Sequence, residues 1–237
     1  MTDYGKRYRA AAALLDKTKA YSPEEAVELA RKTATAGFDE TVELHLRMGL
    51  DPRNASQQVR GVTLLPYGLG KKVRVLVFAQ GEASRIAESA GADYVGSDDL
   101  IERIEGGWLE FDIAIATPDM MSKVGKLGRI LGRRGLMPNP RAGTVVSPDD
   151  LPKVIEDSRK GRVEFRLDRT AIIHVPVGKV SFDSQSLMGN LSAVVEAVVK
   201  AKPSGAKGQY VRSAYLTTTM GPGIKLDLRP TLALTSG

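Results

Sequence analysis

Pro66-Tyr67-Gly68-Leu69-Gly70 is the stretch on which the architecture of this 237-residue chain turns. It ends a strand-like run, Val59 to Leu65, with residues suited to a turn or a hinge. After it, strand-like Val73 to Phe78, helical Glu82 to Ala90, a short strand around Tyr94, helical Asp98 to Glu105 and strand-like Phe111 to Ala116 alternate at the spacing of βαβ units. That alternation predicts a small parallel sheet covered by helices.

The flanks read differently. Ser22-Pro23-Glu24-Glu25 is a helix start with Ser22 as N-cap and Glu25 completing a capping box, and Gly37 is expected to end that helix. Thr41 to Met48 alternates strictly, with Val42, Leu44, Leu46 and Met48 on one face and Glu43, His45 and Arg47 on the other, which predicts a strand with one wet face. Ser147-Pro148-Asp149-Asp150 repeats the cap grammar, with Ser147 as N-cap of a helix running to about Lys160 before Gly161. Val163 to Leu167 and Ala171 to Val177 are strand-like, joined by a polar turn at Asp168-Arg169. Leu187 to Lys202 is a long amphipathic helix ended by Pro203-Ser204-Gly205, and Tyr210 to Thr219 alternates again before the turn Met220-Gly221-Pro222-Gly223. Antiparallel-type elements at both ends with a βαβ block between them imply insertion of one domain into another. The expected domains are 1–66 with 160–237, and 67–159, and two chain crossings suit a hinge.

Composition narrows the function. Hydrophobic residues at 42% with 26% charged residues describe a folded globular chain, and the net charge of +6 favours a polyanionic partner. Aromatic content of 5% argues against a surface built mainly from base-stacking platforms and for reading of shape and backbone. The absence of cysteine removes disulfides, thiolate nucleophiles and sulfur-based zinc sites. Ala10 to Leu15 is too short for the apolar core of a signal peptide, and no segment approaches the roughly 20 apolar residues of a membrane span, so a soluble, intracellular protein is expected.

A nucleotide-binding enzyme is the sharp rival for an α/β block. Ala79-Gln80-Gly81-Glu82-Ala83-Ser84 lacks the glycine triplet that lets a pyrophosphate approach a helix N-terminus. The Gly-Lys pairs at 70–71, 125–126 and 178–179 have Leu65, Met120 and Ile173 where a P-loop needs its first glycine, and no Ser or Thr follows the lysine. His45 and His174 are the only histidines. No G-x-S-x-G elbow and no metal-ligand spacing occurs. His45 is read as a solvated or hydrogen-bonded residue and His174 as a satisfied structural or RNA-proximal group. No catalytic residue, metal or cofactor is therefore assigned.

Two regions carry uncompensated positive charge. Lys123, Lys126, Arg129, Arg133, Arg134 and Arg141 lie in a glycine-punctuated stretch, read as a basic loop, with no carboxylate between Asp119 and Asp149. Between Glu196 and Asp227 there is again no acid, while Lys200, Lys202, Lys207, Arg212 and Lys225 supply charge, and Lys6, Arg7, Arg9, Lys17 and Lys19 can join them. Thr217, Thr218 and Thr219 add hydroxyls able to bond phosphate or ribose oxygens, and Gly221 permits close backbone approach.

Four separated motifs then combine: Gly37-Phe38-Asp39-Glu40-Thr41-Val42-Glu43, Gln58-Val59-Arg60-Gly61, Leu131-Gly132-Arg133-Arg134-Gly135-Leu136-Met137-Pro138-Asn139-Pro140, and Thr217-Thr218-Thr219-Met220-Gly221-Pro222. In this order they resemble the bacterial family of the large-subunit ribosomal protein L-one, over nearly the whole chain to about Leu228. The resemblance implies an α+β two-layer domain formed by both termini with an inserted Rossmann-like three-layer α/β domain. It also implies a cytoplasmic protein on the large ribosomal subunit, monomeric when free. Its partners would be the mobile stalk of 23S rRNA, the deacylated tRNA leaving the exit site, and the leader of its own messenger RNA, whose translation it would repress.

Carried over by motif, principal RNA contact is expected at Phe38, Thr41, Ser213, Thr217, Thr219, Met220 and Gly221, with Asp168 and Arg169 as secondary candidates. Phe38 and Met220 would supply apolar contact, and the hydroxyls would read ribose 2′-OH groups. Lys126, Arg129, Arg133, Arg134 and Arg141 would face tRNA or a second RNA surface, or only stabilise a signature loop. The sequence departs from the family pattern at Gly37, where lysine is frequent, at Arg133, where proline is usual, and at Ser56, where aspartate is usual. None of these touches the Thr-Met-Gly turn.

Overall fold

The computed structural model describes residues 5–234. Its helices and strands in chain order are α1 (Lys6–Ala12), α2 (Pro23–Thr33), β1 (Thr41–Met48), β2 (Arg60–Leu64), β3 (Val75–Phe78), α3 (Glu82–Ser89), β4 (Tyr94–Gly96), α4 (Asp98–Glu105), β5 (Ile113–Ala116), α5 (Met121–Val124), α6 (Gly128–Arg134), α7 (Leu151–Lys160), β6 (Arg162–Arg166), β7 (Ile172–Lys179), α8 (Ser184–Lys200), β8 (Val211–Thr218), β9 (Ile224–Leu226) and α9 (Leu228–Leu232). They form two compact units, 1–70 with 163–237, and 71–162.

In the first unit, β7-β1-β8-β9 form a four-stranded antiparallel sheet. The alternation of β1 places Val42, Leu44, Leu46 and Met48 on the buried side, where they pack with Ala26, Val27 and Ala30 of α2 and with Leu187, Leu191, Val194, Val195 and Val198 of α8. Each of the buried Val, Leu and Met side chains contributes roughly 1.5–3 kcal/mol relative to exposure. Two helices on one face leave the other face of the sheet to solvent, which makes this unit a two-layer α+β structure. β2 and β6 pair separately. A Cβ on Gly61 of β2 would lie 2.5 Å from the Phe165 ring, so only glycine fits that close approach.

Ser22 caps α2, accepting the Glu25 N–H at 3.2 Å while the Glu25 carboxylate accepts the Ser22 N–H at 3.4 Å. The helix stops at Thr33, before the expected end at Gly37. Thr33 turns its hydroxyl back onto the carbonyls of Leu29 and Ala30, and Ala34 is already extended, which delivers the Ala36 N–H to the Glu40 carboxylate.

The second unit holds the parallel sheet β4-β3-β5. Every residue of β3 is buried. Val75 and Val77 pack with Ala83 and Ala87 of α3 and with Leu151 and Ile155 of α7 on one side. Leu76 and Phe78 pack on the other side with Leu100 and Ile104 of α4 and with Val124, Leu127 and Leu131. The unit is therefore three-layered. Of the stretch 123–141, expected as a basic loop, residues up to Arg134 are helical: α5, a 3-10 turn over Gly125–Leu127, and α6, which Gly135 ends in a left-handed conformation at φ 71°. The three- and four-residue spacing of Val124, Leu127 and Leu131 supplies a helical inner face, and burial of that face overrides the glycines.

Ser147 does not cap a helix by its side chain as expected. Its hydroxyl binds the Asp150 carboxylate at 2.7 Å, the chain makes a 3-10 turn over Pro148–Asp150, and α7 follows, ended by Gly161 at φ 108°.

Residues 66–70 pack on the first unit. The buried Asn190 of α8 accepts the Tyr67 N–H at 3.0 Å and donates to the carbonyls of Gly68 at 2.9 Å and Val177 at 2.7 Å. The unit boundary consequently falls after Gly70 and not after Pro66. Residues 1–4 and 235–237, including the start of the basic N-terminus and the end of the tail, lie outside the described residues.

Candidate nucleic-acid interface

The turn between β8 and β9 is fastened to the start of β1 by a buried carboxylate. Glu40 is 1% exposed and accepts the Met220 N–H at 2.9 Å and the Ala36 N–H at 2.9 Å. Burial by itself raises its pKa, but the N–H groups of Met220, Ala36 and Thr35 and the dipole of the adjacent Thr218 hydroxyl outweigh that cost, so the carboxyl titrates below its usual value. Thr218 Oγ1 is itself buried without a hydrogen bond of full geometry. Beside Glu40, Thr219 Oγ1 accepts the Thr41 N–H at 3.0 Å. Lys179 Nζ reaches the Thr41 hydroxyl at 2.9 Å and the Asp39 carbonyl at 3.2 Å, and Asp39 in turn accepts the Ser181 N–H and hydroxyl at 3.0 and 2.7 Å.

On this base the apolar side chains of Phe38 and Met220 stand in solvent, 56% and 60% exposed. A fastened turn that presents two large apolar groups and threonine hydroxyls suits a preformed recognition surface, because little conformational entropy is lost on binding. Space favours glycine at position 221. A Cβ on it would lie 2.3 Å from Thr218 Oγ1, a buried atom that would have to shift. Thr217 spends its hydroxyl on the carbonyls of the turn, the nearest being Thr218 O at 3.1 Å.

The wet face of the sheet continues this surface in cross-strand rows. Glu43 stands opposite Thr217 and Pro176, His45 opposite Tyr215 and His174, and Arg47 opposite Ser213 and Ile172. Tyr215 also pairs with Lys225 of β9. The two histidines meet with Nδ1 atoms 2.6 Å apart and rings edge to face, so one donates and the other accepts. Burial lowers the pKa of His45, the neighbouring His174 lowers it further, and Glu43 opposes both only in part. His174 also lies 3.5 Å from Asp168.

Six of the residues expected to contact RNA are brought to one end of the sheet: Phe38, Thr41, Thr217, Thr219, Met220 and Gly221. Ser213 lies on the same face toward the far end of β1, where Arg47 stands. Asp168 and Arg169 belong to that far end too, since the chain between them and β7 hydrogen-bonds to Met48. Six strand steps from Thr41 to Arg47 span about 20 Å, so Asp168 and Arg169 are separated from the turn. Asp168 is committed locally: burial tends to raise its pKa, but the Thr170 hydroxyl, the N–H groups of Ile172 and Thr170, and His174 hold the carboxyl below its usual value.

Lys126, Arg129, Arg133, Arg134 and Arg141 belong to the second unit. All five are exposed and none makes an ion pair among the described residues. Lys123, counted with them from the sequence, is neutralised by Asp98 at 2.7 Å. The sequence reading missed Glu40, Lys179 and Tyr215 as parts of the surface. Tyr215 was legible from the alternation of β8, whereas Glu40 and Lys179 act through partners far away in the chain. Among the described residues no cluster of three metal-ligating side chains occurs, and no helix is long and apolar enough to cross a membrane.

Residues 30–222 match the model of the ribosomal protein L1p/L10e family. The chain is 63% identical over 234 residues, 99% of each chain, to the large ribosomal subunit protein uL1 of Dehalococcoides mccartyi. It is also 59% identical over 233 residues to the protein of that name from Thermomicrobium roseum, covering 98% of this chain and 97% of the relative. Against the Chloroflexus aggregans protein it is 59% identical over 229 residues, 96% and 97% of the two chains.

Proposed function

Because this chain belongs to the ribosomal protein L1p/L10e family, we propose that it binds the mobile stalk of 23S rRNA through residues 38–41 and 217–221. It is a structural constituent of the large ribosomal subunit, not an enzyme, and it works in the cytoplasm on the ribosome. The observation that supports this site is the exposed pair Phe38 and Met220 on segments tied together by the buried Glu40. Folded RNA is read by shape, by apolar contact with splayed bases and by 2′-OH contacts, and a rigid turn with two apolar groups and threonine hydroxyls supplies each of these.

The finer roles follow from this site. The exposed cations Lys126, Arg129, Arg133, Arg134 and Arg141 of the second unit attract the tRNA leaving the exit site, an electrostatic role that falls with salt. A messenger leader that copies the stalk shape competes for the turn, so the protein represses its own operon when free stalk is scarce. Asp168 and Arg169 are secondary contacts at the far end of the same face. Competition binding of the full chain at near-physiological salt, between stalk RNA, bulk tRNA and duplex DNA, tests the reading. Preference for stalk RNA by at least tenfold is expected, and equal affinity for all three would overturn it.

A further inference from the structure

A cavity of about 260 Å³ lies in the first unit between α1 and the chain running from the recognition turn into β9. Tyr8, Tyr215 and Pro222 are among the residues that line it, together with the polar Lys17, Lys225 and Asp16. Pro222 directly follows Gly221, and Tyr215 and Lys225 form a cross-strand pair on the wet face, so the cavity shares its walls with both parts of the RNA surface.

We propose that this cavity takes one unstacked nucleobase from the bound RNA. The proposal rests on the RNA interface argued above and adds a base-reading pocket to it. Single-stranded or bulged bases are held by aromatic faces with cations beside them, since every base has a π-face and every nucleotide carries a phosphate. Tyr8 and Tyr215 supply the rings, and Lys17 and Lys225 supply charge for the flanking phosphates. A preformed concave site with a few convergent polar groups is also what a small planar ligand needs. Asp16 adds an acceptor. Its Oδ1 takes the Thr18 N–H at 2.9 Å and the Thr18 hydroxyl at 2.6 Å, and the carboxylate can also take an N–H of a base.

The test uses the full chain bound to stalk RNA. Ultraviolet crosslinking with mass spectrometric mapping should place a nucleotide adduct on Tyr8, which lies outside the sheet face. Ala12 also lines the cavity, and Ala12→Phe fills it without altering the turn. That variant should keep its unfolding midpoint and bind stalk RNA about tenfold more weakly, the loss of one base–aromatic stack. Absence of any adduct on Tyr8, together with affinity of Ala12→Phe within twofold of the parent, overturns the pocket. If Met220→Asp still weakens binding at least fivefold in that case, the interface itself stands. If the parent chain does not select stalk RNA at all, the interface is overturned and the pocket with it.

Discussion

Replacing Glu40 by alanine removes the buried carboxylate that ties the recognition turn to the chain entering β1 and leaves the Thr219 hydroxyl on the Thr41 N–H as the remaining tie. Two backbone N–H groups, those of Met220 and Ala36, lose acceptors 2.9 Å away. Hydrogen bonds to a charged acceptor contribute about 1.5–3 kcal/mol each, so complete loss of both would cost roughly 3–6 kcal/mol. Met220 is largely exposed and water can reach its N–H once the carboxylate is gone, which places the expected loss near the lower end, about 3 kcal/mol. Urea unfolding of the parent and Glu40→Ala chains measures it. A loss of about 3 kcal/mol is smaller than the roughly 5–15 kcal/mol typical of a native protein, so the variant is expected to stay folded at 25 °C, which the same urea curves check. A loss of affinity for stalk RNA, expected to be at least tenfold, then reports the geometry of the turn. The pH dependence has a definite sign. Because the folded pKa of Glu40 lies below its unfolded value, its contribution is complete above the unfolded carboxyl pKa and is lost as pH falls through the folded one. The stability difference between parent and variant should therefore shrink on acidification from neutral pH. Stability within about 0.5 kcal/mol of the parent, a scale typical of surface substitutions, with unchanged RNA affinity, would refute the view that Glu40 holds the turn.

Four further variants test neighbouring parts of the argument. Gly221→Ala forces a methyl group against the buried Thr218 hydroxyl and should cost about 1–3 kcal/mol by overpacking, seen in thermal unfolding, with weakened RNA binding. Asn190→Ala leaves the Tyr67 N–H and the Gly68 and Val177 carbonyls without their partner; a loss of about 2–4 kcal/mol in denaturant unfolding is expected, and a loss under half a kilocalorie would show that water replaces the amide. Met220→Asp should weaken stalk binding by about 1–3 kcal/mol at every salt concentration, whereas neutralising Arg133 and Arg134 should mainly flatten the salt dependence of tRNA binding. A salt titration in which both variants behave alike would remove the distinction between shape reading and charge.

Much of the architecture was written in local pattern. The alternation of residues 41–48 specifies a strand with one buried face, the Ser22 and Glu25 pair specifies a helix start, and the strand-helix alternation after Gly70 specifies a parallel sheet, because each signal acts over a few neighbouring residues. The Thr-Met-Gly turn and Phe38 were likewise visible as motifs. The helical course of residues 121–134 was legible in the spacing of Val124, Leu127 and Leu131, but the glycines and cations obscured it. Tertiary structure alone decided that Glu40 is the buried anchor of a turn 180 residues away, that His45 and His174 share one hydrogen bond, and that Asp168 lies at the opposite end of the sheet from Met220. Antiparallel register sets all three, and register follows from how long-range strands align their buried faces, which the strands themselves do not encode one at a time.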